Sequence, residues 1–109
     1  MISFTHDGEC KAYESIATTA AIGFTSTYFR YPSDFGAQMK AALITVETAD
    51  IRFTMDGTTP VVTATGGGVG HLMVSGQSYV VRGWENIRNF RCINAVASSG
   101  AVVRCSFFY

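Results

Sequence analysis

The sequence predicts an all-β chain, a single-domain β-sandwich or jelly roll of about seven to eight short antiparallel strands. Three observations predict it. Thr, Val, Ile, Phe and Tyr recur along most of the chain, with few Lys or Glu among them. Gly, Pro, Asp and Ser clusters punctuate it about every eight to twelve residues. No window of helical length holds an apolar i, i+3, i+4, i+7 stripe free of β-branched residues.

At 109 residues there is room for one domain, large enough to bury a core without metal or disulfide staples. A hydrophobic share of 48%, against 15% charged, excludes disorder. Residues 1–14 are polar and mixed, and are expected to form an N-terminal arm or edge strand; the sandwich domain is expected over 15–109.

Ser15 to Phe24 (SIATTAAIGF) is small and β-branched, hence a strand. Thr25 to Pro32 is aromatic-rich and ends at proline, so it is expected as a strand edge or ordered loop. A short helix is the best reading of Asp34 to Lys40, with Ser33 as its cap and Gly36 weakening it. Ala41 to Glu47 (AALITVE) is apolar on both faces until its end, which places it deep in the fold. Thr48-Ala49 is short enough to make a hairpin with Asp50 to Met55, where Ile51, Phe53 and Met55 share one face and Arg52 and Thr54 the other.

Asp56-Gly57-Thr58-Thr59-Pro60 is a dense turn signal. A strand at Val61 to Thr65 leads into the glycine loop Gly66 to Gly70. Strands follow at His71 to Val74 and Gln77 to Arg82, separated by Ser75-Gly76. A helical turn fits Trp84 to Asn89. Phe90 to Val96 and Ala101 to Phe108 are expected to form a closing hairpin. With Ile93 facing Cys105 and Ala95 facing Val103, one face is apolar and Cys92, Asn94, Arg104 and Ser106 take the other. That register puts Gly100 at a bulge and argues against a Cys92–Cys105 disulfide, which only a register slipped by one would allow.

Chemistry is sparse. Gly66 to Gly70 lacks the Lys-Ser/Thr and the following helix of a phosphate loop. His6, Asp7, Glu9 and Cys10 lack the repeated ligand spacing of a metal site. His71 is expected as a turn or interface residue, and Glu47 with Asp50 as turn acids and not a glycosidase pair. No serine sits in a nucleophile elbow. No catalytic, cofactor-binding or metal residue is therefore assigned, no cofactor is expected, and the chain is expected not to be an enzyme. Cys10, Cys92 and Cys105 form an odd set and are expected as free thiols.

Eight Lys plus Arg balance eight Asp plus Glu, so the basic excess of nucleic-acid binders is missing and no nucleic-acid partner is expected. Neither a secretory leader nor a membrane-spanning stretch is read in the sequence. A neutral, apolar-rich chain suits assembly. The aromatics Tyr28, Phe29 and Tyr31, Trp84, and Phe107-Phe108-Tyr109 are read first as core, then as protein interface, then as a carbohydrate platform.

Two resemblances follow from particular residues. Ile51 to Pro60 (IRFTMDGTTP) resembles the strand–turn of chitobiase C-terminal-type, immunoglobulin-like modules, with their aromatic-x-aliphatic-Asp-Gly-Thr-x-Pro pattern. More broadly, ALITVETADIRFTMDGTTP, GHLMVSGQSYVV and NIRNFRCINAVASSGAVVRCSFFY, over residues 41–109, resemble small structural proteins of tailed bacteriophages. Residues 1–40 lie outside that likeness, and GGGVG lengthens a loop that is shorter in the pattern. The resemblance implies an all-β virion component, a capsid decoration or cement protein assembled in the host cytoplasm. Its partners would be the major capsid protein or another virion protein and its own copies, as a homotrimer. The alternative expectation is a carbohydrate-binding module using Trp84 with Tyr79 or Tyr28.

Overall fold

The computed structural model describes residues 9–25, 39–63 and 68–109. Among the described residues nine strands and one short helix follow one another: β1 (Cys10–Ala17), β2 (Ala41–Glu47), β3 (Ile51–Thr54), β4 (Val61–Val62), β5 (Gly68–Val69), β6 (His71–Met73), β7 (Ser78–Arg82), α1 (Trp84–Arg88), β8 (Arg91–Asn94) and β9 (Val102–Phe108). The all-β expectation holds, and the helical turn after Trp84 is present. Most of the segments expected at Thr25 to Pro32 and Asp34 to Lys40, with the first part of the glycine loop, lie outside the described residues.

A four-stranded antiparallel sheet runs β1-β9-β2-β7, and a three-stranded sheet runs β6-β3-β8. Ile22 bridges to Cys92, so the chain after β1 takes the edge place beside β8. This order, with consecutive strands alternating between two sheets, is the double Greek key of a jelly roll. β4 and β5 form a separate small antiparallel pair inserted between β3 and β6.

That connectivity corrects two expectations. Ala41–Glu47 and Ile51–Thr54 do not form a hairpin; β2 pairs with β7 and β9, and β3 with β6 and β8. Nor do β8 and β9 pair: β8 lies beside β3, and β9 lies between β1 and β2. The face assignment on β8 is consequently inverted. Cys92 and Asn94 point into the core, at 0% and 1% exposure, while Ile93 is half-buried on the outer face. On β9 the expected alternation holds, with Val103, Cys105 and Phe107 inside and Arg104 outside. β1, from Cys10 to Ala17, spans residue 14 and is the edge strand of the four-stranded sheet, beside β9.

The links at residues 48–50, 74–77 and 95–101 thus cross between sheets at one end of the sandwich, and Asp50 ties them together. Its carboxylate accepts the Ser75 amide at 2.8 Å, and its carbonyl accepts the Ala95 amide at 2.9 Å. Thr48 turns the chain with φ of 77°, a left-handed conformation that a β-branched residue adopts only under constraint. Beside this knot lies the main buried polar cluster. Asn94 Oδ1 accepts the Thr18 hydroxyl at 2.6 Å and the Ala101 amide at 3.0 Å.

Between the sheets the core is aromatic and aliphatic. Phe90 stacks on Phe24, with ring centroids 4.6 Å apart, and Phe24 meets Phe107 edge-on at 5.3 Å. Ile44, Val46, Ile51, Val81, Ile87 and Val103 fill the remainder. This is the burial that stabilises the fold, at roughly 25 cal/mol per Å² of apolar surface removed from water.

Candidate functional site

Among the described residues the sandwich is open along one flank, where β6 ends one sheet and β7 ends the other. The inward alternation of these two edge strands carries His71 and Tyr79 to the rim and leaves Phe53 as the floor. The Phe53 ring lies 5.5 Å from His71 and 5.9 Å from Tyr79, centroid to centroid. Tyr79 is 40% exposed although it pairs with fully buried Ile44, because nothing described closes the sheet beyond β7.

Two hollows meet at Met55 and His71. One, of about 380 Å³, is lined by Phe53, Met73, Gln77 and Tyr79 among others. The other, of about 560 Å³, is lined by Asp56, Thr58, Val69 and Asn86. The DGTTP turn builds the second. Asp56 Oδ1 accepts the Thr58 amide at 3.0 Å, and the Thr54 hydroxyl donates to the Thr58 carbonyl. Those bonds from Thr58 hold the Asp56 carboxyl below its usual range, with a smaller contribution from His71. Asn86 donates its amide to the Arg82 carbonyl at 2.9 Å, and Gln77 accepts the Val74 amide through Oε1 at 2.9 Å.

Most other candidate residues have structural employment. Glu47 pairs with Arg104, which also donates to the Tyr13 hydroxyl at 3.0 Å. Asp50 ties the inter-sheet links, and Glu9 pairs with Lys11 at 3.0 Å. Of the C-terminal aromatics, Phe107 and Tyr109 are buried in the chain's own core, whereas Phe108 is half-buried on the other face of β9. Trp84 is half-buried against that core, with the Arg88 guanidinium 5.3 Å from its ring, and so is not a bare platform. His6, Asp7, Tyr28, Phe29 and Tyr31 lie outside the described residues. Among the described residues no three His, Cys, Asp or Glu converge as a metal site, and no helix is long and apolar enough to cross a membrane.

No family model, curated protein or solved structure matches this chain. The two resemblances drawn from the sequence therefore gain nothing from comparison, and function is argued from the residues. Sequence reasoning did not assemble the flank: Asp56 and Thr58 read only as turn chemistry, and Asn86 as part of a helical turn. The signal that could have found it was Tyr79 alternating onto the same strand face as the core residue Val81.

Free thiols sit at Cys10, exposed, and at Cys92 and Cys105, both buried. Burial pushes the Cys92 thiol up to about 12 and raises Cys105 as well. Folding thus favours the protonated thiols. Their contribution is complete below the ordinary thiol value of 9.0 and is lost as pH climbs toward about 12. Urea melts of the native chain should lose stability through that window by up to about 1.4 kcal/mol per pH unit for each thiol. A Cys92→Ala, Cys105→Ala variant should show a flatter profile. At pH 8, a disulfide reagent should label Cys10 alone until denaturant is added.

Proposed function

We propose that the chain is a non-enzymatic structural protein of a tailed-bacteriophage virion, a capsid decoration or cement protein that stabilises the shell through protein–protein contacts. The observation that carries the assembly reading is the outer side of β6. Leu72, on a strand that ends its sheet, is 53% exposed, and Val74, just beyond that strand, is 40% exposed. Register places Leu72 beside Arg52 and Arg52 beside half-buried Ile93, and no described strand pairs with the far side of β6. Such an edge favours strand addition and apolar burial against another chain. Repeated over a lattice, modest contacts of this kind multiply through effective concentration. The phage assignment adds the likeness of residues 41–109 to phage structural proteins.

Light scattering after size exclusion should give three times the 11.8 kDa chain mass. The chain should co-sediment with shells assembled from a tailed-phage major capsid protein, and Leu72→Glu should abolish both. A monomer at every concentration that leaves such shells in the pellet alone overturns the proposal.

A further inference from the structure

The open flank between β6 and β7 carries an inference independent of assembly. We infer that the trough formed by Phe53, His71 and Tyr79, with Asp56 and Asn86 at its upper end, is a binding site for a neutral saccharide.

Size comes first. Two adjoining hollows of about 380 and 560 Å³ fall within the roughly 300–1,000 Å³ range of small-ligand sites. They share Met55 and His71, so they suit an elongated ligand such as a short oligosaccharide.

Charge then narrows the class. None of the described lining residues is Lys or Arg, and Asp56 is the one carboxylate among them. A phosphate, sulfate or uronate would meet repulsion without a partner. A metal ion would find only Asp56 and His71, too few ligands to hold it.

The remaining chemistry suits hydroxyl groups on a flat apolar ring. Asp56 offers a carboxylate as a hydrogen-bond acceptor. With its amide nitrogen held by Arg82, Asn86 presents its carbonyl oxygen, and Gln77 presents its amide nitrogen because Val74 occupies its oxygen. The ring nitrogens of His71 add further hydrogen-bonding positions. Tyr79, held against Phe53 and 40% exposed, provides the aromatic face on which the C–H side of a sugar ring packs. The acceptors gather at one end and the ring lies toward the other, which is the polarity an oligosaccharide needs to bind in one direction.

The test is a glycan array of neutral glucan, xylan, mannan, galactan and chitin oligosaccharides, with sialylated and sulfated glycans as the anionic arm. Calorimetry of the strongest neutral binder would follow, on the full chain. One neutral class is expected to bind. Tyr79→Ala and Asp56→Ala should each weaken it about tenfold or more. Tyr79→Phe, which keeps the ring, should stay near the parent, and Ser15→Ala on β1 should change nothing. Thermal melts of each variant identify any loss caused by unfolding, and Asp56→Ala, at an exposed turn, gives a second reading if Tyr79→Ala melts early. Binding confined to anionic glycans, neutral binding indifferent to both alanine variants, or no binding to any arrayed glycan overturns the inference.

Discussion

Phe90→Ala is expected to destabilise the fold by about 3–5 kcal/mol, the range for deleting a fully buried phenylalanine ring. Phe90 is 0% exposed where the chain leaves α1 and enters β8. Its ring stacks on Phe24 with the planes 6° apart, and it also faces Phe53 at 5.8 Å. Phe24 in turn meets Phe107 on β9, an interior strand of the other sheet, so the lost ring supports contacts on both sides of the sandwich. Close neighbours on several strands limit collapse into the space, and this favours the upper part of the range. Against a total stability of about 5–15 kcal/mol, the loss should lower the melting temperature by roughly 10–25 °C. Calorimetry measures it, and a change below about 1 kcal/mol would show that the stack does not hold the sheets together. Val96→Ala, at an exposed position, serves as the comparison and should shift stability by no more than about 0.5 kcal/mol.

Asn94→Ala is expected to cost about 2–4 kcal/mol, by a different route. Its side-chain oxygen joins the end of β1, through Thr18, to the start of the β9 approach, through Ala101. Removing it strands the Ala101 amide in the interior. The Thr18 hydroxyl fares better, because the Ala101 carbonyl already lies 3.1 Å away as a second acceptor. Thr18→Val should therefore be the milder change, at about 1–2 kcal/mol. The two residues share one network, so the double variant should lose less than the sum of the singles. Denaturant melts of the four proteins close the cycle, and strict additivity would rule out the coupling.

The same asparagine explains where sequence reasoning stopped short. Strand positions were legible from alternation: Ile51 and Phe53 do face inward together, as do Val103, Cys105 and Phe107. On β8 the usual rule, polar outside and apolar inside, pointed the wrong way. Asn94 is internal because Thr18, 76 residues earlier, meets it there, and no local pattern announces so distant a partner. Strand pairing failed for a related reason. A short Gly- or Ser-bearing link between two β segments has the same local chemistry whether the second strand turns back beside the first or crosses to the opposite sheet. Asp50 shows what decides between them, since its bonds go to Ser75 and Ala95. The open flank was hidden on the same ground: Asp56, His71, Tyr79 and Asn86 meet only once β6 and β7 lie on facing sheets.

The position of β9 between β1 and β2 has a kinetic consequence. A ribosome makes this strand after both of its neighbours, so during synthesis the four-stranded sheet lacks one of its two interior strands until late, and β1 and β2 each wait with a bare side. Nearly all pairings join distant parts of the chain, a high contact order that places folding in the millisecond-to-second range. The waiting strands are the point at which a nascent chain is most exposed to mispairing with another copy, and a chaperone that shields them until Val102–Phe108 emerges would raise the yield of folded protein.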